Sequence, residues 1–260
     1  MVVVQEEATT ELLTSPQQSR PCISPMVSTR PEARPKAVDL LVLGAGWTSE
    51  FLLPLAASKG VSTSATTRDG RNGTLKWSFD PESDDPEPFK ALPPAQTVLV
   101  SFPVKQQGGI TRLVQLYEQT HPNQEAHYIL LGSTGIWEAE NEASTSSADH
   151  HYVTRHTPFN TSNPRGASEA ELLSYAKAST VLNLAGLWGG ERSARRFLAR
   201  IITSKEALRN RKSIHLINGE DVARAIIAVH QQWEKARGQR WILTDGTCFL
   251  CYFQDPAELE

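Results

Sequence analysis

The sequence predicts an α/β chain built on a doubly wound parallel sheet. Three observations carry this reading. From Val38 onward, short apolar runs rich in β-branched residues alternate with segments of helical period, the pattern of parallel strands joined by crossover helices. The first of these runs, Leu40 to Leu43, stops at Gly44-Ala45-Gly46, and a helix-like segment follows at once. No period of about twenty to fifty residues recurs, which sets aside solenoids and propellers.

Composition bounds the possibilities. The chain has 260 residues, 39% hydrophobic and 21% charged, which suits one large globular α/β domain. A formal net charge of -3, without a basic stripe interleaved with aromatics, argues against a nucleic-acid partner. No apolar run approaches the roughly 20 residues a membrane helix needs, so no membrane partner is expected. Cys22, Cys248 and Cys251 cannot all pair within the chain. Cys248 and Cys251 have C-x-x-C spacing but no second ligand pair, so bystander thiols fit better than zinc or a redox motif. That usage suits a reducing compartment, and a cytoplasmic location is the expectation.

Residues 1–36 read as an unfolded leader, with Pro21, Pro25, Pro31 and Pro35 recurring among polar residues. Val2-Val3-Val4 is too short for a secretory core, and Glu6, Glu7 and Glu11 do not suit a transit peptide. The folded domain is expected over 37–247. Residues 248–260 form a tail, in which the apolar run from Cys248 to Phe253 is a last strand or a truncated edge.

Strand one covers 39–43. The motif that follows is G-x-G-x-x-S, Gly44-Ala45-Gly46-Trp47-Thr48-Ser49. Such glycines let the backbone turn tightly and approach a pyrophosphate, while the next helix offers free N–H groups and a positive dipole end. Gly44, Ala45, Gly46, Trp47 and Thr48 are therefore candidate cofactor contacts. Ser49 replaces the glycine that normally allows close packing of helix on strand. Plain tight turns also use this tripeptide. Helix one spans about 48–58, with Phe51, Leu52 and Leu55 at helical spacing. Pro54 either belongs to its first turn or kinks it. Gly60 ends it.

Strand two, 61–67, closes on Thr66-Thr67-Arg68. An NAD site places an acid here for the ribose 2′-hydroxyl, whereas an NADP site prefers Arg and small hydroxyls around the 2′-phosphate. Thr67 and Arg68 favour NADP. NAD remains an option, since Asp69 follows, and a solvated loop arginine is the plain alternative. Strand three, 74–79, ends at Asp80, which is either an adenine contact or the turn initiator before Pro81. Residues 81–94 read as an acidic, Pro-rich loop with at most a short helix.

A buried strand at 97–102 is stopped by Pro103, and Ser101, Phe102 and Pro103 join the cofactor-side candidates. Residues 106–121 form an amphipathic helix with Ile110, Leu113, Val114 and Tyr117 on one face. Strand five, 126–131, ends at Gly132-Ser133-Thr134-Gly135. Residues 138–162 read as irregular. His150, His151 and His156 occur there with Tyr152, but no helical His pair with a carboxylate base exists, so no metal site is expected. Asn163-Pro164 opens a helix through Ala178. A strand at 180–184 precedes Gly186-Leu187-Trp188-Gly189-Gly190. Residues 193–208 form a basic amphipathic helix, with Arg192, Arg195, Arg196 and Arg200 on neighbouring turns. A solvated face is the preferred reading of these arginines, and an anion contact the alternative. A short run at 214–217, a helix at 221–233 capped by Asn218 or Gly219, and a strand at 240–243 complete the domain.

Several separated pieces resemble the short-chain dehydrogenase/reductase superfamily. The likeness is nearest to its extended, NAD-dependent epimerase/dehydratase-like branch and that branch's atypical members. The pieces are LVLGAGWTSEFL, TTR, FD, VLVSFP, YILLGSTGIW, LNLAGLWGG and HLINGEDVARAIIAVH, in the family's order between Val38 and Asp245. The resemblance implies a Rossmann fold with a small C-terminal substrate lobe and a nicotinamide cofactor. It also implies a hydroxyl at the end of strand five, then Tyr and Lys in Y-x-x-x-K spacing on the next helix. In the family the tyrosine is the acid/base, and the lysine holds the nicotinamide ribose and lowers the tyrosine pKa. Ser133 and Thr134 match the hydroxyl position. The helix departs from the pattern, because Arg165 and Glu169 hold that spacing, one turn apart on the same face. Arg cannot donate its proton near neutral pH. Arg165 would clamp an anionic substrate or the cofactor phosphates, and Tyr152, a loop histidine or water would be the acid/base.

Two functions are consistent with these residues. One is an NADP-linked oxidoreductase or epimerase/dehydratase-like enzyme, transferring hydride to or from a small polar carbonyl or hydroxyl substrate through Ser133, Thr134, Tyr152 and Arg165. The other, supported by the missing Tyr/Lys pair, is a non-catalytic NADP-binding sensor or scaffold. A methyltransferase-like use of the glycine turn would want an acid where Thr67 stands. Parallel-sheet proteins of this size often pair through helices, so a homodimer is also an expectation.

Overall fold

Leu40, Leu41, Val42 and Leu43 have no exposed surface, because their strand β1 (Val38–Leu43) runs through the middle of a parallel sheet covered on both faces. This computed structural model describes residues 35–137, 153–176, 178–204 and 214–246. The chain divides into two units, Met1–Ala33 and Arg34–Glu260, and the described residues all belong to the second. The expectations for most of the leader, for Tyr152, His150 and His151, for all three cysteines and for the tail lie outside them.

The remaining strands are β2 (Thr63–Thr67), β3 (Leu75–Lys76), β4 (Ala95–Val100), β5 (His127–Ser133), β6 (Ser179–Leu184), β7 (Gly186–Trp188), β8 (Leu216–Asn218) and β9 (Arg240–Leu243). Seven form one sheet in the order β3-β2-β1-β4-β5-β6-β9, every pair parallel. The order reverses between β1 and β4. At such a switch point the crossovers leave to opposite sides, and a crevice opens beyond the carboxyl ends of the strands. β7 and β8 form a separate parallel pair.

Seven helices are described: α1 (Trp47–Ser58), α2 (Glu87–Lys90), α3 (Gly109–Thr120), α4 (Pro164–Tyr175), α5 (Ala194–Ile201), α6 (Gly219–Gln231) and α7 (Trp233–Ala236). Alternation along β1 sends Leu41 and Leu43 to one face, with Ile110, Leu113, Val114 and Tyr117 of α3 and Leu172 of α4. Leu40 and Val42 go to the other, with Leu52 and Ala56 of α1, Val222 and Ile226 of α6, and Trp233. Each fully buried side chain of this kind contributes roughly 1.5–3 kcal/mol. A third cluster, Ile214 and Leu216 with Trp188, Phe197, Leu198 and Ile201, holds α5 against the β7–β8 pair. None of the described helices is long and apolar enough to cross a membrane.

Several expected boundaries move, each for a visible reason. α1 runs through Pro54, which lies exposed in its second half rather than in the first turn. β3 is two residues long, because Trp77 and Phe79 leave the sheet edge to pack on Phe89 of α2. α3 begins at Gly109, after Gly108 in the left-handed region (φ 74°), where the Glu171 carboxylate accepts the N–H groups of Gly108 and Thr111 at 3.1 and 3.0 Å. α4 starts where expected: the Asn163 side chain accepts from Arg165 N–H at 3.0 Å, with Pro164 at the first helical position. It stops at Tyr175, since Ala176 is extended. Asn218, not Gly219, caps α6, accepting from Glu220 N–H at 2.8 Å. β5 continues to Ser133 because it pairs with β6 as far as Ser133 opposite Leu184.

A buried polar network ties the second half of the sheet together. Glu169 of α4 has 0% exposure. Its carboxylate receives the Arg240 guanidinium of β9, Asn183 Nδ2 of β6 at 2.7 Å and Ser133 N–H of β5 at 3.2 Å. Asn183 also accepts from Arg240 at 3.1 Å and donates to Ser133 O at 3.0 Å. The Arg240 guanidinium lies over the Phe159 ring, 4.5 Å from its centroid. A Cβ on Gly132 would stand 2.6 Å from both Asn183 Nδ2 and Glu169 Oε1, so only glycine leaves room for the carboxylate.

Removing one partner of a buried ion pair leaves the other uncompensated. Glu169→Gln is therefore expected to lower stability by about 3 kcal/mol in urea unfolding, whereas Glu169→Leu combined with Arg240→Met recovers much of the loss. Two single-variant costs that merely add in the double variant would show that the pair is not coupled.

Acid sensitivity should come from two histidines. His230 is buried with Nδ1 2.8 Å from Thr97 Oγ1, and burial holds its pKa below the ordinary value of 6.5 against the pull of Asp39. Burial likewise lowers His127, which stacks on Trp233 with centroids 4.2 Å apart. Both take up a proton more readily once unfolded. Their contribution to stability is full above the unfolded value near 6.5 and declines as pH falls through it toward the folded value. Tm should drop between about pH 7.5 and about pH 5.5, and drop less in a His127→Gln/His230→Gln variant. Glu118, raised by burial, acts in the opposite sense in both proteins, so the difference between them isolates the histidines. Parallel Tm curves would rule them out.

Candidate functional site

The turn after β1 is shaped by Gly44, whose φ of 89° disfavours other residues and whose missing Cβ makes room for the Phe102 ring and Ser101 Oγ. Its N–H donates to Thr66 Oγ1 at 3.0 Å, and Ala45 N–H donates to Thr66 O at 2.6 Å. Gly46 N–H bonds back to Gly44 O at 2.8 Å. The amides of Ala45 and Gly46 are therefore spent within the turn. Those that open α1, Trp47 and Thr48, lie in the first turn of a helix, where no intrahelical acceptor is available. Gly46 is exposed, and a Cβ on it would meet nothing within 4 Å. This open corner, ahead of a twelve-residue helix, fits a dinucleotide diphosphate. Ser49 is 5% exposed with an unpartnered Oγ, and it packs where the third glycine would.

At the end of β2, Thr67 Oγ1 accepts Gly70 N–H at 2.9 Å and contacts Thr74 Oγ1 at 2.7 Å. Its hydroxyl is committed to the loop. Arg68 is exposed and has no charged partner among the described residues, while Asp69 faces Arg71 at 3.3 Å. Asp80 Oδ1 accepts Glu82 N–H at 3.0 Å, the geometry of a turn initiator. Beyond β4, Ser101 Oγ donates to Gly44 O and lies 3.0 Å from Leu43 O, and Pro103 is exposed.

A cavity of about 730 Å³ lies at the carboxyl end of the sheet. It brings together Thr48, Ser101, Ser133, Thr134 and Arg165 from the sequence candidates. Gly44, Ala45, Gly46, Trp47, Thr67, Arg68, Asp80, Phe102 and Pro103 do not line it. Ser133 Oγ accepts Gly135 N–H at 3.2 Å, and Thr134 Oγ1 donates to Leu184 O at 3.4 Å. Arg165 donates through Nη2 to Leu131 O and Gly132 O at 3.1 and 3.2 Å. Its Nε stands 3.9 Å from Glu169 Oε1 and has no hydrogen-bond partner. Burial lowers the Arg165 pKa, partly opposed by Glu169.

Further polar lining comes from residues expected on a solvated face, and they are indeed exposed while bordering the cavity. Arg192, Ser193, Arg196 and Arg200 border the cavity, with Glu191 as the acidic member. Trp47 joins this side to the glycine turn: its Nε1 donates to Gly189 O at 3.2 Å, and Arg192 lies over its ring at 4.6 Å. Sequence reasoning also gave Asn183 and Arg240 no role. The available signal was a polar residue beside apolar ones, Asn183 within VLNL of β6 and Arg240 ahead of WIL in β9.

No protein-family model and no curated protein matches the sequence. Solved structures do match. UDP-N-acetylglucosamine 4-epimerase from Bacillus cereus is 15% identical, with a TM-score of 0.54 over 83% of this chain and 81% of its own. RMD from Pseudomonas aeruginosa, complexed with NADPH, is 10% identical, with a TM-score of 0.56 over 83% and 80%. A short-chain dehydrogenase/reductase superfamily protein from Agrobacterium tumefaciens, with bound NAD, is 13% identical, with a TM-score of 0.56 over 82% and 81%. At this identity the likeness is one of fold. The chain has the Rossmann-like fold shared by these epimerase- and reductase-type proteins.

Proposed function

We propose that this chain is an NADP-linked oxidoreductase or epimerase-like enzyme acting on a small polar carbonyl or hydroxyl substrate. The observation that carries the proposal is the cavity itself. It touches the first turn of α1 through Thr48 and reaches Ser133 and Thr134 at the end of β5, so one space borders the start of that helix, next to the glycine turn, and a pair of hydroxyls. A nicotinamide, when bound, supplies or accepts hydride at its C4. Ser133 and Thr134 would hydrogen-bond the reacting oxygen and hold it in line. The proton would come from water, Tyr152 or a histidine of the same loop, since Arg165 cannot release one. Arg165, fixed on two strand carbonyls, would stabilise negative charge next to that oxygen. Arg68 would receive the 2′-phosphate, because it is the cation left without a charged partner at the end of β2.

One observation favours the sensor or scaffold reading. Glu169, at the lysine position of the Y-x-x-x-K spacing, is tied into a structural ion pair, and Arg165 holds the tyrosine position.

Fluorescence titration with NADPH, followed by its oxidation with a panel of carbonyl compounds, separates the two. Turnover that falls at least about tenfold in Ser133→Ala supports the enzyme. Tight binding without turnover across the panel supports the sensor. Arg68→Ala should weaken NADPH about tenfold and leave NADH nearly unchanged; equal losses would remove the 2′-phosphate role. Gly46→Val should retain the folded circular-dichroism spectrum but lose nucleotide affinity, as its side chain would occupy the open corner. Unchanged affinity would reject the diphosphate site.

A further inference from the structure

Among the described residues, four guanidinium groups line the cavity, Arg165 from α4 and Arg192, Arg196 and Arg200 on or just before α5, against the one carboxylate of Glu191. Arg196 and Arg200 stand one turn apart on α5, which lays them along one stripe, and Arg192 precedes the helix cap at Ser193. Arg195, one residue off that register, does not line the cavity. None of the three has an ion-pair partner among the described residues. Arg192 and Arg200 instead lie over the rings of Trp47 and Phe197, at 4.6 and 5.3 Å. All three are exposed, so their charges meet both the cavity and water.

Arg165 adds an independent observation. The Glu169 carboxylate is already engaged by Arg240, Asn183 and the Ser133 amide. Two guanidinium groups thus share one carboxylate, and Arg165 is the more distant of them, with a buried Nε left unbonded. A half-buried cation with incomplete compensation is costly unless a counter-charge enters beside it.

We propose that the substrate of this cavity carries a compact dianionic group, a phosphate monoester or a dicarboxylate, seated between Arg165 and the Arg196–Arg200 stripe. Its uncharged end then lies toward Ser133 and Thr134. The proposal rests on the reading of the cavity as a substrate cleft next to a bound dinucleotide, and it names the substrate class for that cleft. Planar guanidinium forks match the paired oxygens of phosphate and carboxylate, and several of them around one group discriminate against neutral analogues.

The test is calorimetric titration of the full chain with inorganic phosphate and with malonate, each in the absence and presence of saturating NADPH. Arg165→Gln and Arg196→Gln are titrated in parallel. Expected is one dianion bound with NADPH present, weakened about tenfold in each variant, with NADPH affinity changed less than about twofold. Tighter phosphate than malonate marks a phosphate ester and the reverse a dicarboxylate, and either supports the site. Arg165→Gln also loses its bonds to the strand carbonyls, so Arg196→Gln, on an exposed helix face, provides the reading should the first variant unfold. Unaltered dianion binding in Arg196→Gln overturns the proposal. So does mutual exclusion of phosphate and NADPH with both affinities falling in the variants, since the arginines would then serve the cofactor diphosphate. Arginine-dependent dianion binding without any NADPH binding would reject the dinucleotide reading and keep the anion site. NADPH binding without dianion binding would do the opposite.

Discussion

One buried carboxylate organises the half of the sheet that borders the cavity. Glu169 sits where α4 meets the ends of β5 and β6, and its charge is answered by Arg240 from β9. A carboxylate without exposed surface is tolerable only when its lone pairs and its charge are both satisfied. That requirement accounts for three neighbours at once. Gly132 must lack a side chain, Asn183 must interrupt an apolar strand, and Arg240 must begin another. The same carboxylate receives the Ser133 amide, so the network also sets where β5 delivers its terminal hydroxyls.

The consequence reaches the chemistry of the site. In the family that the sequence resembles, this helix presents a proton donor and a cation to the cofactor. Here the two corresponding positions are a cation and an anion, and the anion is turned inward to Arg240. Arg165 is left between two strand carbonyls and the cavity, a fixed positive charge without a labile proton. The arginine stripe of α5 enlarges that positive field. On the reading proposed above, such a wall would select and orient an anion and stabilise developing negative charge, but it would not shuttle protons. Trp47 adds a mechanical link, because the first residue of α1 is tied to Gly189 on the segment that carries Arg192.

The sheet and its crossovers were legible because they rest on local patterns. Leu40 to Leu43 followed by two glycines specifies a central strand and a sharp turn, and the alternation downstream specifies parallel pairing. Asn163-Pro164 and Asn218 each announce a helix start through a side chain that accepts from amides two residues on. Where local pattern competed with packing, packing prevailed. Residues 74–79 have strand composition, yet the strand ends after two paired residues, and Trp77 and Phe79 pack edge-on against Phe89. At the end of β2, the Thr67 hydroxyl is held by Gly70 and Thr74.

The sequence by itself determined most of the order of strands and helices, the glycine turn after β1 and the absence of a Y-x-x-x-K spacing on α4, since each is written in residues a few positions apart. Only the tertiary structure decided what stands in that pair's place. Glu169, Asn183 and Arg240 are separated by 14 and 57 residues, and Arg165 meets the α5 arginines across one cavity. The signs of charges brought together by chain crossovers have no local period to reveal them. Burial then decides which charges are neutralised in place and which remain available to a ligand.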